Sequence, residues 1–248
     1  MSEQPPVHIR VATVTDLDEL AALNQRAFIA SPPQTFFSQA NTPLTTDSKD
    51  ASRRNNQTKF LRFLIRRSWS LGARITVVVL SGGANGADKI IASAIWRPPI
   101  TGGKKSPSTF SALRMGLLSV LMGWGLGSLT RISELVQSSE HVLEEGYALH
   151  KLPGSPDDSW YLQVAAVDPE FQGKGYMSML LREGFKHAPN AVFTLEATTP
   201  RARDIYEHHG FQVVRDVIVG AGKVDAGGVN ASGDAATGFP MYPMIKLS

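Results

Sequence analysis

Trp160-Tyr161-Leu162-Gln163-Val164-Ala165-Ala166-Val167-Asp168-Pro169 runs into Gln172-Gly173-Lys174-Gly175-Tyr176, and Met177, Leu180, Leu181, Gly184 and Phe185 follow at i, i+3, i+4, i+7 and i+8. The apolar run bounded by Asp-Pro reads as a buried strand, and the later spacing reads as one face of a helix. The two glycines therefore sit in a tight turn at a helix N-terminus. Backbone N–H groups lack intrahelical partners there, and the helix dipole is positive, so main chain alone can hold an anion such as a pyrophosphate. Glycine lets the backbone approach that ligand, and Lys174 adds a positive charge. Taken alone, the turn is equally compatible with a strand-to-helix connection that binds nothing. It is neither a Walker A loop, which needs Gly-Lys-Ser/Thr, nor a dinucleotide fingerprint, which needs a third glycine and a later acidic residue.

A second β-rich run, Ala191 to Ala197 and containing Leu195-Glu196, leads to Thr198-Thr199-Pro200. Thr199 as N-cap, Pro200 at the first helical position and Gly210 past the end frame a short helix with Ala202, Ile205 and Tyr206 on its inner face. Another strand is expected from Phe211 to Val219.

In this order and spacing, Trp160-Tyr161-Leu162, Val167-Asp168-Pro169, Gln172-Gly173-Lys174-Gly175, Leu195-Glu196-Ala197 and Tyr206-Glu207-x-x-Gly210-Phe211 resemble the GNAT superfamily of acyl-CoA-dependent N-acyltransferases, and within it the puromycin N-acetyltransferase branch. The resemblance implies an α/β (α+β) fold. Its mixed central sheet would have about six to seven strands, splayed at the CoA site and flanked by helices, with a helical insertion at about residues 100–156. It implies acetyl-CoA as cosubstrate, with the pantetheine arm pairing with main chain at Val164, Ala165, Ala166 and Val167. The pyrophosphate would meet the amides of Gln172, Gly173, Lys174, Gly175, Tyr176 and Met177. Met177 departs from the family pattern, which has a small residue there; it either crowds the pyrophosphate or points into the core.

By the same resemblance Tyr206 occupies the general-acid position, where a phenol with pKa near 10 can protonate a departing thiolate. Without the resemblance, Tyr206 reads as an amphipathic core aromatic. Glu196 matches a position that serves as base in some relatives. Two readings stay open for it: a base whose pKa burial raises, or a structural group paired with Arg201 or Arg203 or holding the strand end.

At 248 residues the chain can form one large domain with an insertion, spanning residues 1–248. With no cysteine there is no disulfide and no cysteine nucleophile, so direct transfer in a ternary complex is the simpler mechanism. No spaced His, Cys or acidic cluster suggests a metal. The net charge of +3 does not call for nucleic acid. Residues 1–6 carry no signal-peptide pattern, which leads to the expectation of a soluble, cytoplasmic protein.

Elsewhere, strands are expected at residues 7–11, 74–80 and 90–96, the last two joined by a hairpin loop at 81–86. Helices are expected from Thr15 to Phe28 and from Arg53 to Ser70, with a Pro- and Ser-rich loop from Ala30 to about Ser52 between them. After a Gly-, Lys- and Pro-containing linker, two helical runs, 110–130 and 133–150, would meet near Arg131. The uncharged stretch 115–129 falls short of a membrane span. Residues 220–238, rich in Gly, Ala, Asn and Asp, read as a poorly ordered loop, and 241–247 as the last strand. The expected activity is acetylation of a primary amine on a small molecule. The alternatives are a peptide or protein acceptor, or an acyl-CoA-binding module without catalysis. Acceptor identity and oligomeric state are not legible.

Overall fold

A computed structural model describes residues 6–82, 87–100 and 109–247. The expected hairpin loop and the linker before the insertion fall largely on residues 83–86 and 101–108, and the N-terminal reading on residues 1–5, all outside the described residues.

The order of elements is β1 (Val7–Val11), α1 (Leu17–Ala27), α2 (Pro32–Phe37), α3 (Ala51–Ser70), β2 (Arg74–Leu80), β3 (Lys89–Arg97), α4 (Thr109–Met115), α5 (Leu117–Trp124), α6 (Gly127–Leu149), β4 (Trp160–Val167), α7 (Tyr176–His187), β5 (Phe193–Ala197), α8 (Pro200–His208), β6 (Gln212–Val213), β7 (Val217–Val219) and β8 (Phe239–Lys246). The strands form one eight-stranded mixed sheet in the order β1-β2-β3-β4-β5-β8-β6, with β7 also pairing with β8. Among the described strands only β4 and β5 are parallel neighbours. The crossover between them is α7, as parallel pairing requires.

Apolar side chains cover both faces. On one, Leu180 and Leu181 of α7 and Tyr206 of α8 pack with Ala94, Trp96, Leu162, Leu195 and Phe211. On the other, Leu20 and Leu23 of α1 and Ile65 of α3 pack with Val77, Ile95, Val164 and Ala166. A third cluster joins Phe36, Phe60, Val120 and Trp124 to Phe239 and Met241.

Gly184 lies where α7 crosses β3. A Cβ added there would lie 2.5 Å from the Trp96 Nε1 and 2.7 Å from its Cε2. Gly184→Ala is therefore expected to lower stability by about 1–2 kcal/mol, because overpacking outweighs the roughly 1 kcal/mol of helix propensity gained. A urea midpoint unchanged from wild type would show that the indole can move aside.

Four expectations are corrected. The loop after α1 contains a helix: Ser31 precedes Pro32 at the first helical position, and Phe36 and Phe37 are buried in the third cluster. The insertion breaks at Gly116 (φ 112°) and Gly125 (φ 77°) rather than near Arg131, which lies inside α6. The strand expected from Phe211 to Val219 is two strands, with Val214 to Asp216 outside both; the Val214 N–H donates to the Pro243 carbonyl. Residues 220–238 are ordered: Val224 is fully buried, Asp225 accepts from the Gly227 and Val229 amides, and the Arg131 guanidinium donates to Asn230. Composition made that segment read as loose, yet Asx turns and a buried valine supply local order.

Candidate active site

The parallel pairing of β4 with β5 covers only Trp160↔Phe193, Tyr161↔Thr194 and Leu162↔Leu195. Both strands continue, β4 along β3 to Val167 and β5 along β8 to Ala197, so they splay apart. At the apex β4 carries a bulge: Ile95 pairs with Val164 and Trp96 with Leu162, leaving Gln163 as the extra residue. One extra residue moves the following side chains to the opposite face. Leu162 accordingly packs on the α7 side, and Val164 and Ala166 pack on the α1 and α3 side. The Ser68 hydroxyl at the end of α3 donates to the Gln163 Oε1 at 2.7 Å, which ties that helix to the bulge.

The glycine turn stands at the open end of the splay. Gly173 (φ 77°) and Gly175 (φ 82°) adopt left-handed backbone, and Gly175 is the N-cap of α7. An added Cβ at either would meet nothing, so it is backbone conformation that requires glycine, and the space above the loop is free. Met177 packs against the α7-side core, the second of the two outcomes its bulk allowed. The Gln172 side chain folds back and donates to the Val167 carbonyl at 3.3 Å. Beside the loop, Ser178, Arg201, Asp204, Ile205, His208 and His209 line an open cleft between α7 and α8.

Tyr206 and Glu196 lie on opposite faces of the sheet. Thr199 caps α8 by accepting from the Ala202 amide, and the helix buries Tyr206 against Phe211, ring centroids 5.9 Å apart. Burial raises the phenol pKa above its usual value. The hydroxyl makes no hydrogen bond to any described residue. Along β5, Phe193, Leu195 and Ala197 face α7, which leaves Glu196 on the face covered by α6. Its Oε2 accepts from the Tyr161 hydroxyl. Burial raises the Glu196 pKa, against the opposing pull of Tyr161, Ser139 and Arg97, which favour the carboxylate. Among the described residues Glu196 forms no ion pair with Arg201 or Arg203, and Arg203 instead pairs with Asp204 and stacks on Tyr242.

Sequence reasoning missed Tyr161, Arg97 and Ser139. Tyr161 was legible in part, since strand alternation puts it one pleat from Leu162, but its partner depends on β4 and β5 register. Ser139 comes from α6, and no local pattern marks it. A separate small hollow of about 90 Å³, lined by Gln34, Thr35, Arg53, Gln57 and Trp124 among others, lies farther along α3. Gln57 is ten residues, about 15 Å of helix, from Arg67 at that helix's sheet end. Among the described residues no three His, Cys, Asp or Glu are grouped to hold a metal, and no helix is long and apolar enough to cross a membrane.

Residues 138–213 match the family model described as "Acetyltransferase (GNAT) domain", a span that runs from α6 through the splay, the glycine turn and α8. Across the fold, the chain is similar to arylalkylamine N-acetyltransferase 2 from Aedes aegypti (TM-score 0.58, 12% identity, 97% of this chain and 98% of that one). It is also similar to a Corynebacterium glutamicum protein described as histone acetyltransferase HPA2 and related acetyltransferase (TM-score 0.54, 20% identity, 97% and 96%). A third similar structure is the polyamine N-acetyltransferase of Drosophila melanogaster, which forms N-acetylagmatine (TM-score 0.53, 12% identity, 98% and 100%). At these identities the likenesses speak for the fold, and the family model speaks for the splay and its loop. Residues 138–213 thus match a GNAT acetyltransferase domain, and the chain as a whole shares the fold of these solved acetyltransferase structures.

Proposed function

We propose that this protein, acting as one catalytic unit that includes the inserted helices, transfers the acetyl group of acetyl-CoA to a primary amine on a small molecule, by direct attack in a ternary complex. The observation that carries the reading is the splay itself, with the glycine turn at its open end and a phenol and a carboxyl on opposite faces. Pyrophosphate binds the amides of residues 172–177, where α7 presents free N–H groups. The pantetheine arm enters between β4 and β5 and pairs with the β4 edge at residues 164–167, which has no strand partner on that side. Main-chain N–H groups on that edge polarise the thioester carbonyl.

The acceptor nitrogen approaches from the α6 side. Glu196, its pKa raised toward the working range, takes the proton that the amine must lose as the C–N bond forms. As the C–S bond breaks, the Tyr206 hydroxyl donates its proton to the thiolate sulfur, and burial keeps that phenol protonated until then. Two features favour a small acceptor. The inserted helix α6 covers the Glu196 face, with Ser139 buried beside the carboxyl, where a peptide acceptor would need an open groove. Structurally similar proteins are described as arylalkylamine and polyamine N-acetyltransferases.

The test is mass-spectrometric detection of product when the protein and acetyl-CoA meet aminonucleosides, polyamines, amino acids, arylamines and short peptides. A gain of one acetyl on a small amine is expected. Acetyl-CoA binding with no product from any member, or product from peptides alone, would overturn the proposal.

A further inference from the structure

On the α6 side of the sheet, Arg97 approaches the Tyr161–Glu196 pair and Arg67 lies within electrostatic reach of Arg97, neither with a carboxylate partner among the described residues. Arg97 ends β3 and pairs in register with Tyr161, and its guanidinium lies over the Tyr161 ring, 4.4 Å from the centroid. The Arg97 Nε is fully buried and has no hydrogen-bond partner among the described residues. Arg67 reaches the same region from the last turn of α3, next to the Ser68 that is tied to the bulge at Gln163. It is half-buried, and burial and then Arg97 lower its pKa, so the two guanidinium groups feel each other's charge. Neither belongs to any ion pair among the described residues.

Two like charges held together and partly out of water, one with a buried, unsatisfied N–H, are costly unless an anion joins them. The carboxyls within electrostatic reach do not fill that role. Glu196 is engaged by Tyr161 and favours its neutral form through burial, and Glu140 sits exposed on α6. Residues 101–108, which follow β3, contain no Asp or Glu. Nor does the pyrophosphate of CoA account for the pair. Arg97 pairs with Tyr161 near the start of β4, whereas the glycine turn follows its end, six residues or about 20 Å of strand away.

We infer that Arg97 and Arg67 bind an anionic group on the acceptor, a carboxylate or a phosphonate or phosphate, so that the substrate is an amine carrying an acid and Arg97 determines specificity. This deepens the proposed transfer reaction and rests on it. A guanidinium fork suits such an anion in bidentate geometry, and Arg97 stands one phenol ring from Glu196. A compact molecule can therefore present its acid to the arginines and its nitrogen to Glu196. The same positive field disfavours polycationic acceptors and favours the neutral, nucleophilic form of the amine.

The experiment compares kcat/KM for matched acceptors in the full chain with acetyl-CoA: amino acids and aminoalkyl phosphonates of graded length, each against the amine that lacks the acid. Wild type is expected to prefer the acid-bearing member by about 100-fold, the scale of one or two charge-assisted hydrogen bonds. In Arg97→Ala that preference falls below about threefold. Arg67→Ala loses part of it, and Arg97→Lys recovers part of it. Arg66→Ala, an exposed arginine one position along α3, keeps the preference and serves as the control. The carboxylate and phosphonate arms separate the two acid types. Equal or better turnover of the acid-free partners by wild type, or an undiminished preference in Arg97→Ala, overturns the inference.

If no amine is acetylated, the transfer reading fails, and the anion site is still tested by calorimetric titration of butyrate and butylphosphonate into protein saturated with CoA, or without CoA should CoA not bind. Binding that disappears in Arg97→Ala upholds the site. Equal binding, or none, by wild type and variant removes it.

Discussion

Tyr206→Phe is expected to lower kcat by about 100-fold or more while leaving acetyl-CoA affinity within about twofold, because a positioned general acid contributes about 10²–10⁴ in rate. The ring keeps its packing against Phe211, and the lost hydroxyl makes no hydrogen bond to a described residue, so no folded-state bond is broken. Stability should stay close to wild type, since no hydrogen bond to a described residue is lost. This separates the chemical role from the structural one: in a Tyr that served only the core, the same substitution would leave both turnover and the melting temperature close to wild type. Stopped-flow or steady-state kinetics with a matched melting curve read both quantities. Unchanged kcat with an intact fold would remove Tyr206 from the mechanism.

Glu196→Gln should lower kcat/KM by roughly 100-fold near neutral pH and abolish the acidic limb of its pH profile. Burial raises the Glu196 pKa, and a base works when deprotonated, so wild-type activity should climb as pH rises through that raised value and level off above it. The stability linkage has the opposite sense. An acid whose folded pKa lies above its unfolded value contributes stability below the unfolded pKa, and that contribution is lost as pH rises through the folded pKa. At neutral pH the ionised carboxyl thus costs stability, and the isosteric amide, still able to accept from Tyr161, should match or exceed wild type in thermal stability. A Glu196→Gln variant that loses stability yet retains the acidic limb would assign Glu196 to holding the strand end instead.

The site was unevenly legible. The α8 helix could be read almost completely, since Thr199, Pro200 and Gly210 mark its limits by their own backbone chemistry and the inward spacing of Ala202 and Tyr206 follows from the helical period. The inserted helices were read with the wrong break. Arg131 looked like an interruption in an apolar run, but its charge is met by the Phe36 carbonyl and by Asn230, residues distant in sequence. Residues 220–238 failed for the related reason that composition reports average behaviour, whereas Val224 is ordered by contacts with other elements.

By itself the sequence determined the strand, the two-glycine turn and the amphipathic helix that follow one another from Trp160 to His187, because periodicity, capping and positive φ are properties of neighbouring residues. It also supplied the phenol and the carboxyl. Only the tertiary structure decided that they stand on opposite faces of a splay, that the bulge at Gln163 turns Val164 away from the face Leu162 occupies, and that Arg97 and Ser139 meet Glu196 with Arg67 within electrostatic reach of Arg97. Those outcomes depend on the register between strands and on which helix covers which face, and both are set by packing between segments far apart in the chain, which no local pattern encodes.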